Sequence, residues 1–187
     1  MLKYLSTIIL KLAGWHVDVI QPEEKKYILI GAPHTTNWDL PIGLLCFWSV
    51  QMRLAWIGKN QLFVGPFNYL FRALGGIPVD RSASTGFIEQ IAQQFDRREE
   101  MILGITPEGT RSRTDYWKTG FYYIALAAKV PIYLAYADYP SRTVGFREKI
   151  IPSGDIDRDF EKIKLFYENI KGKYPENQGP IRIKQRS

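Results

Sequence analysis

A run of apolar residues, Tyr27-Ile28-Leu29-Ile30, passes through Gly31-Ala32-Pro33 into His34-Thr35-Thr36-Asn37-Trp38-Asp39, and a second apolar run follows from Leu40 to Val50. The first run is rich in β-formers and reads as a buried strand. Proline has no N–H to give to a ladder, so Pro33 ends it. Thr35, Thr36 and Asn37 are helix-capping types, and they predict a helix beginning near Leu40. A strand that turns straight into a helix is the unit of α/β proteins, and such proteins bind ligands at that junction. His34 and Asp39 stand on it.

The chemistry of this pair is specific. A neutral imidazole can take a proton from an alcohol near pH 7. A carboxylate bonded to its other nitrogen fixes the tautomer and stabilises the imidazolium as it forms. A spacing of five places the two side chains on different faces of a regular helix, so they meet only if the chain between them turns. Thr35 to Trp38, with Pro41 just beyond, suits a turn. The plainer reading is a surface histidine beside an N-capping aspartate.

The rest of the chain repeats the strand-then-helix pattern. Arg53–Ile57, Ile77–Val79, Met101–Ile105, Pro131–Ala137 and Val144–Ile151 read as strands. Thr85–Arg98, with Ser84 as its cap, Thr119–Lys129 and Ile156–Ile170 read as helices. Asn60 to Leu74 is a helix or an irregular aromatic segment, broken at Pro66. The tail after Tyr174 holds Pro, Gly, Asn and Gln with Arg182, Lys184 and Arg186, and a loose end is expected of it. No repeat or linker divides the 187 residues. The expectation is one α/β domain over 1–187, a single layered domain with a mainly parallel central sheet flanked by helices.

Composition narrows the function. The net charge of +6 suits nucleic acid, anionic lipid or phosphorylated substrates. The basic residues are dispersed and no recognition module stands out, which argues against nucleic acid. The single Cys46 excludes an internal disulfide and, lying in an apolar run, reads as core. Two histidines without a ligand-spaced partner make a poor metal site, so no metal is expected. No segment is long and apolar enough to span a bilayer, and no cleavage site marks a signal peptide. Within 1–15, Leu2, Leu5, Ile8, Ile9 and Leu12 recur at helical spacing, with Lys3 and Lys11 near the boundary. This is an amphipathic helix that either lies on a membrane or packs on the core.

Two further stretches end strands in charge. One is Gly76-Ile77-Pro78-Val79-Asp80-Arg81-Ser82. The other is Pro107-Glu108-Gly109-Thr110-Arg111-Ser112-Arg113. They fall on the sheet edge that carries His34, so Arg81, Arg111 and Arg113 can converge on one mouth. A guanidinium presents a planar fork of donors that suits a phosphate. Gly109 lets the backbone come close to a ligand. Taken singly, each arginine is as well read as a solvated charge and Glu108 as a salt-bridge partner.

Together these stretches resemble the lysophospholipid acyltransferases, the superfamily that includes glycerol-phosphate and acylglycerol-phosphate acyltransferases. Its first block, a histidine, four residues and an aspartate, is matched by His34 and Asp39. Its second resembles Gly76 to Arg81. Its Pro-Glu-Gly-Thr-Arg block stands here as Pro107 to Arg111, and its Val-Pro-Ile segment as Val130 to Ile132. The four come in family order. The resemblance implies a glycerol-phosphate acyltransferase-like fold and transfer of a fatty acyl group from a thioester to a lysophospholipid-type hydroxyl, lysophosphatidate first, in phospholipid biosynthesis. His34 is then the general base and Asp39 orients it. Arg81, Glu108 and Arg111 bind the glycerol-phosphate, and Gly109 and Thr110 belong to the same block. The implied co-substrate is acyl-CoA or acyl carrier protein, with no resident cofactor. The partners are a lysolipid and a membrane surface, and the setting is the cytoplasmic inner face of the cell membrane. No covalent acyl-enzyme is needed, because no Gly-x-Ser-x-Gly elbow is present. The rivals are the same fold on a lyso-aminolipid or glycolipid acceptor, and a non-catalytic lipid- or anion-binding protein.

Overall fold

The structure is a computed structural model and describes residues 1–79 and 86–184. Its elements are α1 (Leu2–Leu12), β1 (His16–Val19), β2 (Lys26–Gly31), α2 (Asp39–Ser49), β3 (Leu54–Lys59), α3 (Pro66–Ala73) and β4 (Gly76–Val79). Then follow α4 (Phe87–Asp96), β5 (Met101–Ile105), α5 (Gly120–Ala128), β6 (Ile132–Asp138), β7 (Thr143–Ile150) and α6 (Ile156–Tyr167). They form a seven-stranded sheet in the order β1-β7-β6-β2-β5-β3-β4. From β6 to β4 every neighbouring pair is parallel, while β7 is antiparallel to β6 and carries β1 parallel to itself. The expected mainly parallel α/β sheet is therefore the observed one.

The period-two alternation of β2 divides its side chains between two cores. Ile28 and Ile30 join the larger cluster with Ile91 and Phe95 of α4, Phe121 and Ile124 of α5, and Phe160 and Ile163 of α6. Tyr27 and Leu29 face the other way, against Phe47 of α2 and Phe146 of β7. Both faces are covered, which is why the central strands read as continuous apolar runs. Helix α1 lies on this second side through Ser6 and Leu10, with Leu10 meeting Cys46 of α2 and Val144 of β7.

Several expectations are refined. β1 carries no run of apolar residues and was not expected. It adds to the edge through a parallel ladder with β7, and Arg147 and Tyr136 both hold Asp18 across it. Pro66 starts α3 instead of breaking it, since the first helical position needs no N–H. Helix α4 begins after Gly86, and Ser84 lies outside the described residues. The tail after Tyr174 holds a short 3-10 turn at Pro175–Asn177, and Ile183 bridges Trp117. Among the described residues no helix is long and apolar enough to cross a membrane.

A steric test of the β1 edge follows. A Cβ at Gly145 would lie 1.7 Å from the Asp18 carbonyl oxygen. Gly145→Ala is therefore expected to cost about 1–3 kcal/mol, as overpacking does, and to appear as a lowered midpoint in urea unfolding.

Candidate functional site

Because the strands from β6 to β4 run parallel, their C-terminal ends share one edge of the sheet. The loop after β2 carries His34 and Asp39, the loop after β5 carries Glu108 to Arg113, and the turn after β6 carries Tyr139. The chain between His34 and Asp39 does turn. Asp39 Oδ2 accepts the Nδ1–H of His34 at 3.0 Å and the backbone N–H groups of Thr35 and Thr36 at 3.0 and 3.1 Å. Tyr139 donates its hydroxyl proton to Asp39 Oδ1 at 2.7 Å. The bond at Nδ1 leaves Nε2 of His34 as the free acceptor. The capping expectation is corrected here. The residue before α2 is Trp38, with no side-chain cap, and Asp39 in the first turn reaches back to the N–H groups of the threonines.

Glu108 lies beneath the histidine. Its carboxylate accepts the backbone N–H of His34 at 2.6 Å, and the residue is buried. Burial pushes its pKa up to about 7, against the opposing pull of the His34 N–H and imidazole. Tyr167 fills the space nearby, with its hydroxyl against the carbonyl oxygens of Ile30 and Ala135. A buried carboxylate held at such a cost is characteristic of functional sites.

The site opens on a cavity of about 810 Å³. His34, Asn37, Arg111 and Lys118 line it at the loops, and Leu29, Leu44, Phe47 and Trp56 line it within the fold. Small residues make the room. Gly31 pairs with Ala135 across the strands, and Gly104 pairs with Leu29 and Trp56. A Cβ at Gly31 or at Gly43 of α2 would meet nothing within 4 Å, so both face open space.

The expected site residues divide. His34, Asp39, Gly109 and Arg111 line the cavity, whereas Glu108 and Thr110 do not. Arg111 donates to Asn37 Oδ1, which ties the loop after β5 to the loop after β2. Thr110 accepts the N–H of Ser112 within its own turn. Gly109 has φ +67, and Lys118 lies where its Cβ would be. Arg113 turns away, to the Gln178 carbonyl, so it does not join the mouth. Arg81 lies outside the described residues. Cys46 is buried core, as expected, with its thiol pushed up to about 12 by burial. Among the described residues no group of His, Cys, Asp and Glu is placed to hold a metal ion.

Sequence reasoning missed Asn37, Tyr139 and the glycine-lined cavity. The glycines did leave a signal, as small residues on one face of otherwise bulky strands. Tyr139 left none, because its partner is 100 positions away.

The acyltransferase family model matches residues 16–136. Among solved structures the chain is similar to the crystal structure of the 1-acyl-sn-glycerophosphate (LPA) acyltransferase PlsC from Thermotoga maritima. That likeness has 17% sequence identity and a TM-score of 0.60, and covers 89% of this chain and 77% of that one. At that identity it shows the fold. No curated protein matches.

The raised pKa of Glu108 gives a stability test. The folded state favours the protonated carboxyl, so the contribution is present below the ordinary value of 4.5 and is lost as pH rises through about 7. Ionised Glu108 then costs the fold about 3 kcal/mol. Glu108→Gln keeps an acceptor for the His34 N–H without the charge. Urea unfolding is expected to show the variant more stable than wild type at about pH 8, with the gain largely gone at about pH 5. Equal loss at both would show that the carboxylate is not held at a cost.

Proposed function

The chain belongs to the acyltransferase family, and on that premise we propose that it moves a fatty acyl group from a thioester to the hydroxyl of a lysophospholipid-type acceptor, lysophosphatidate first among them. One observation carries this reading. The His34–Asp39 pair, bonded at 3.0 Å, opens on a cavity that is apolar within and has Arg111 and Lys118 at its mouth. Such a site suits a substrate with a greasy chain and an anionic head.

His34 Nε2 takes the proton of the acceptor hydroxyl as its oxygen attacks the thioester carbonyl. The carbonyl π pair moves to oxygen and a tetrahedral oxyanion forms. The imidazolium is stabilised by Asp39, bonded at Nδ1. Collapse of the oxyanion breaks the C–S bond, and the leaving thiolate takes the proton from Nε2. The donor is acyl-CoA or acyl carrier protein.

Arg111 and Lys118 have no carboxylate partner among the described residues, which leaves both cations for the acceptor phosphate. Glu108 contributes by holding His34 in place, since its carboxylate faces the histidine backbone and not the cavity. The apolar lining beside α2, with Leu44 and Phe47 in it, takes the acyl chain.

The acceptor is anchored in a bilayer, so the enzyme works at the surface, on the cytoplasmic inner face of the cell membrane. Support comes from α1. Leu5 and Ile8 are 52% and 55% exposed instead of packed on the core, and α1 lies on α2. Trp38 and Leu40, beside the mouth, are exposed as well. The +6 charge adds attraction to anionic lipid.

Purified protein given an acyl-CoA and a panel of lysolipids is expected to release free thiol. His34→Ala should lower that rate roughly 10²–10⁴-fold, the range for a lost general base. No release with any acceptor, or an undiminished His34→Ala, refutes the reading. Gly43→Leu is expected to stay folded, gain up to about 1 kcal/mol of helix propensity, and shift donor preference to shorter chains. An unchanged preference would remove the acyl chain from this cavity. Leu5→Glu/Ile8→Glu should stay folded by circular dichroism yet no longer sediment with anionic vesicles. Persistent sedimentation would place the membrane contact elsewhere.

A further inference from the structure

Of the donors on Asp39, three come from its own turn and the fourth, Tyr139, comes from the end of β6. Tyr139 lies beyond residues 16–136, where the family model matches, and in no block that the sequence singled out. We propose that Tyr139 is a positioning residue for the His34–Asp39 pair: its hydroxyl, donated to Asp39 Oδ1, holds the carboxylate in the plane that meets the imidazole and tempers the pull on its proton. This rests on the acyl-transfer reading, in which His34 is the base.

The geometry shows what the second hold adds. The bonds from His34, Thr35 and Thr36 all end on Oδ2 and come from the turn of Asp39 itself. The Cβ–Cγ torsion is soft, and those bonds fix it only as firmly as the turn is fixed. A donor on Oδ1 anchors the carboxylate to β6, outside the turn. It also draws negative charge away from the oxygen that faces the histidine, so Asp39 holds the imidazolium less tightly than a carboxylate with a bare Oδ1.

Tyr139 is itself built into place. Its N–H donates to the Lys171 carbonyl at 3.0 Å and its carbonyl accepts from Arg142 at 3.3 Å. Its neighbour Asp138 accepts the N–H of Lys171, which pins the same segment a second time. The ring stands edge-on to Trp15, with centroids 5.1 Å apart. A tyrosine held at the backbone and along the ring has few rotamers left, so its hydroxyl is a fixed donor. Burial, and then the bond to Asp39, hold its pKa well above the usual phenol value, so it remains a donor throughout the working range.

The other titratable groups around the pair are Glu108, Arg111 and Lys118 on the loop after β5, and Lys173 and Tyr174 on the C-terminal segment. Tyr139→Phe leaves all of them in place and keeps the ring on Trp15.

The test uses the full chain in a His16→Gln background, so that the single remaining imidazole is followed by NMR. In Tyr139→Phe the midpoint of the His34 titration is expected to rise by roughly half a pH unit or more. The acid limb of the kcat profile should move with it. Turnover should fall roughly tenfold while KM changes less, as for an interaction that matters to the transition state. Added to Asp39→Asn, the same change should cost little more, because the group it positions has gone. An unmoved His34 titration, or an equal cost in the two backgrounds, overturns the proposal. Neither result touches the His34→Ala assay, which tests the acyl-transfer reading separately.

Discussion

The site depends on one carboxylate. Asp39 gathers the N–H groups of Thr35 and Thr36, the imidazole of His34 and the hydroxyl of Tyr139. Charge-assisted bonds of this kind are the stronger class of hydrogen bond. Here they shape the backbone as well as the dyad, because a carboxylate at the first turn of α2 reaches back to the N–H groups of the loop that precedes the helix. The turn then closes tightly enough for His34 to meet a residue five positions on. The packing around it is equally tight. A Cβ at Gly172 would lie 2.6 Å from Thr35 Oγ1, and Tyr174 donates its N–H to the same oxygen. The C-terminal segment is thus part of the site's wall.

Against that rigid edge stands a deliberately weak interior. Gly31, Gly43 and Gly104 withhold side chains where the fold would otherwise bury them. Each forfeits apolar burial, and Gly43 also forfeits helix propensity. Glu108 adds a carboxyl group held under His34 at the cost of its solvation. A sequence chosen for stability alone would fill the cavity and neutralise the acid. The larger cluster on the other face of the sheet, with Ile28, Ile30, Phe121 and Ile163 among its buried members, carries the stability that these concessions spend.

Most of the architecture was legible because strands and helices buried on both sides leave local patterns. Met101–Ile105 was read at its observed bounds, and β2, α5, β6 and α6 within a few residues. The four motif blocks resembled the superfamily whose family model matches here. β1 was missed because its four residues carry no apolar run, and its ladder to β7 and the bonds of Asp18 to Arg147 and Tyr136 join distant parts of the chain. The cap of α2 was misread for a related reason. Thr35 and Thr36 look like capping side chains, but a carboxylate downstream takes their backbone N–H groups, and their hydroxyls accept from Tyr174 and Trp38 outside the helix.

The sequence by itself determined the alternation of strand and helix, the strand-end placement of His34, Glu108 and Arg111, and the basic balance of the surface. These follow from periodicity, proline and charge, which act over a few residues. Only the tertiary structure decided that Glu108 faces the histidine backbone, that Arg113 turns to Gln178 while Arg111 reaches Asn37, and that Tyr139 completes the hold on Asp39. It also decided that the apolar residues Leu5 and Ile8 of α1 stay exposed. A hydrogen bond or a cavity is a relation between side chains brought together from distant positions, and spacing along the chain carries no record of which of them will meet.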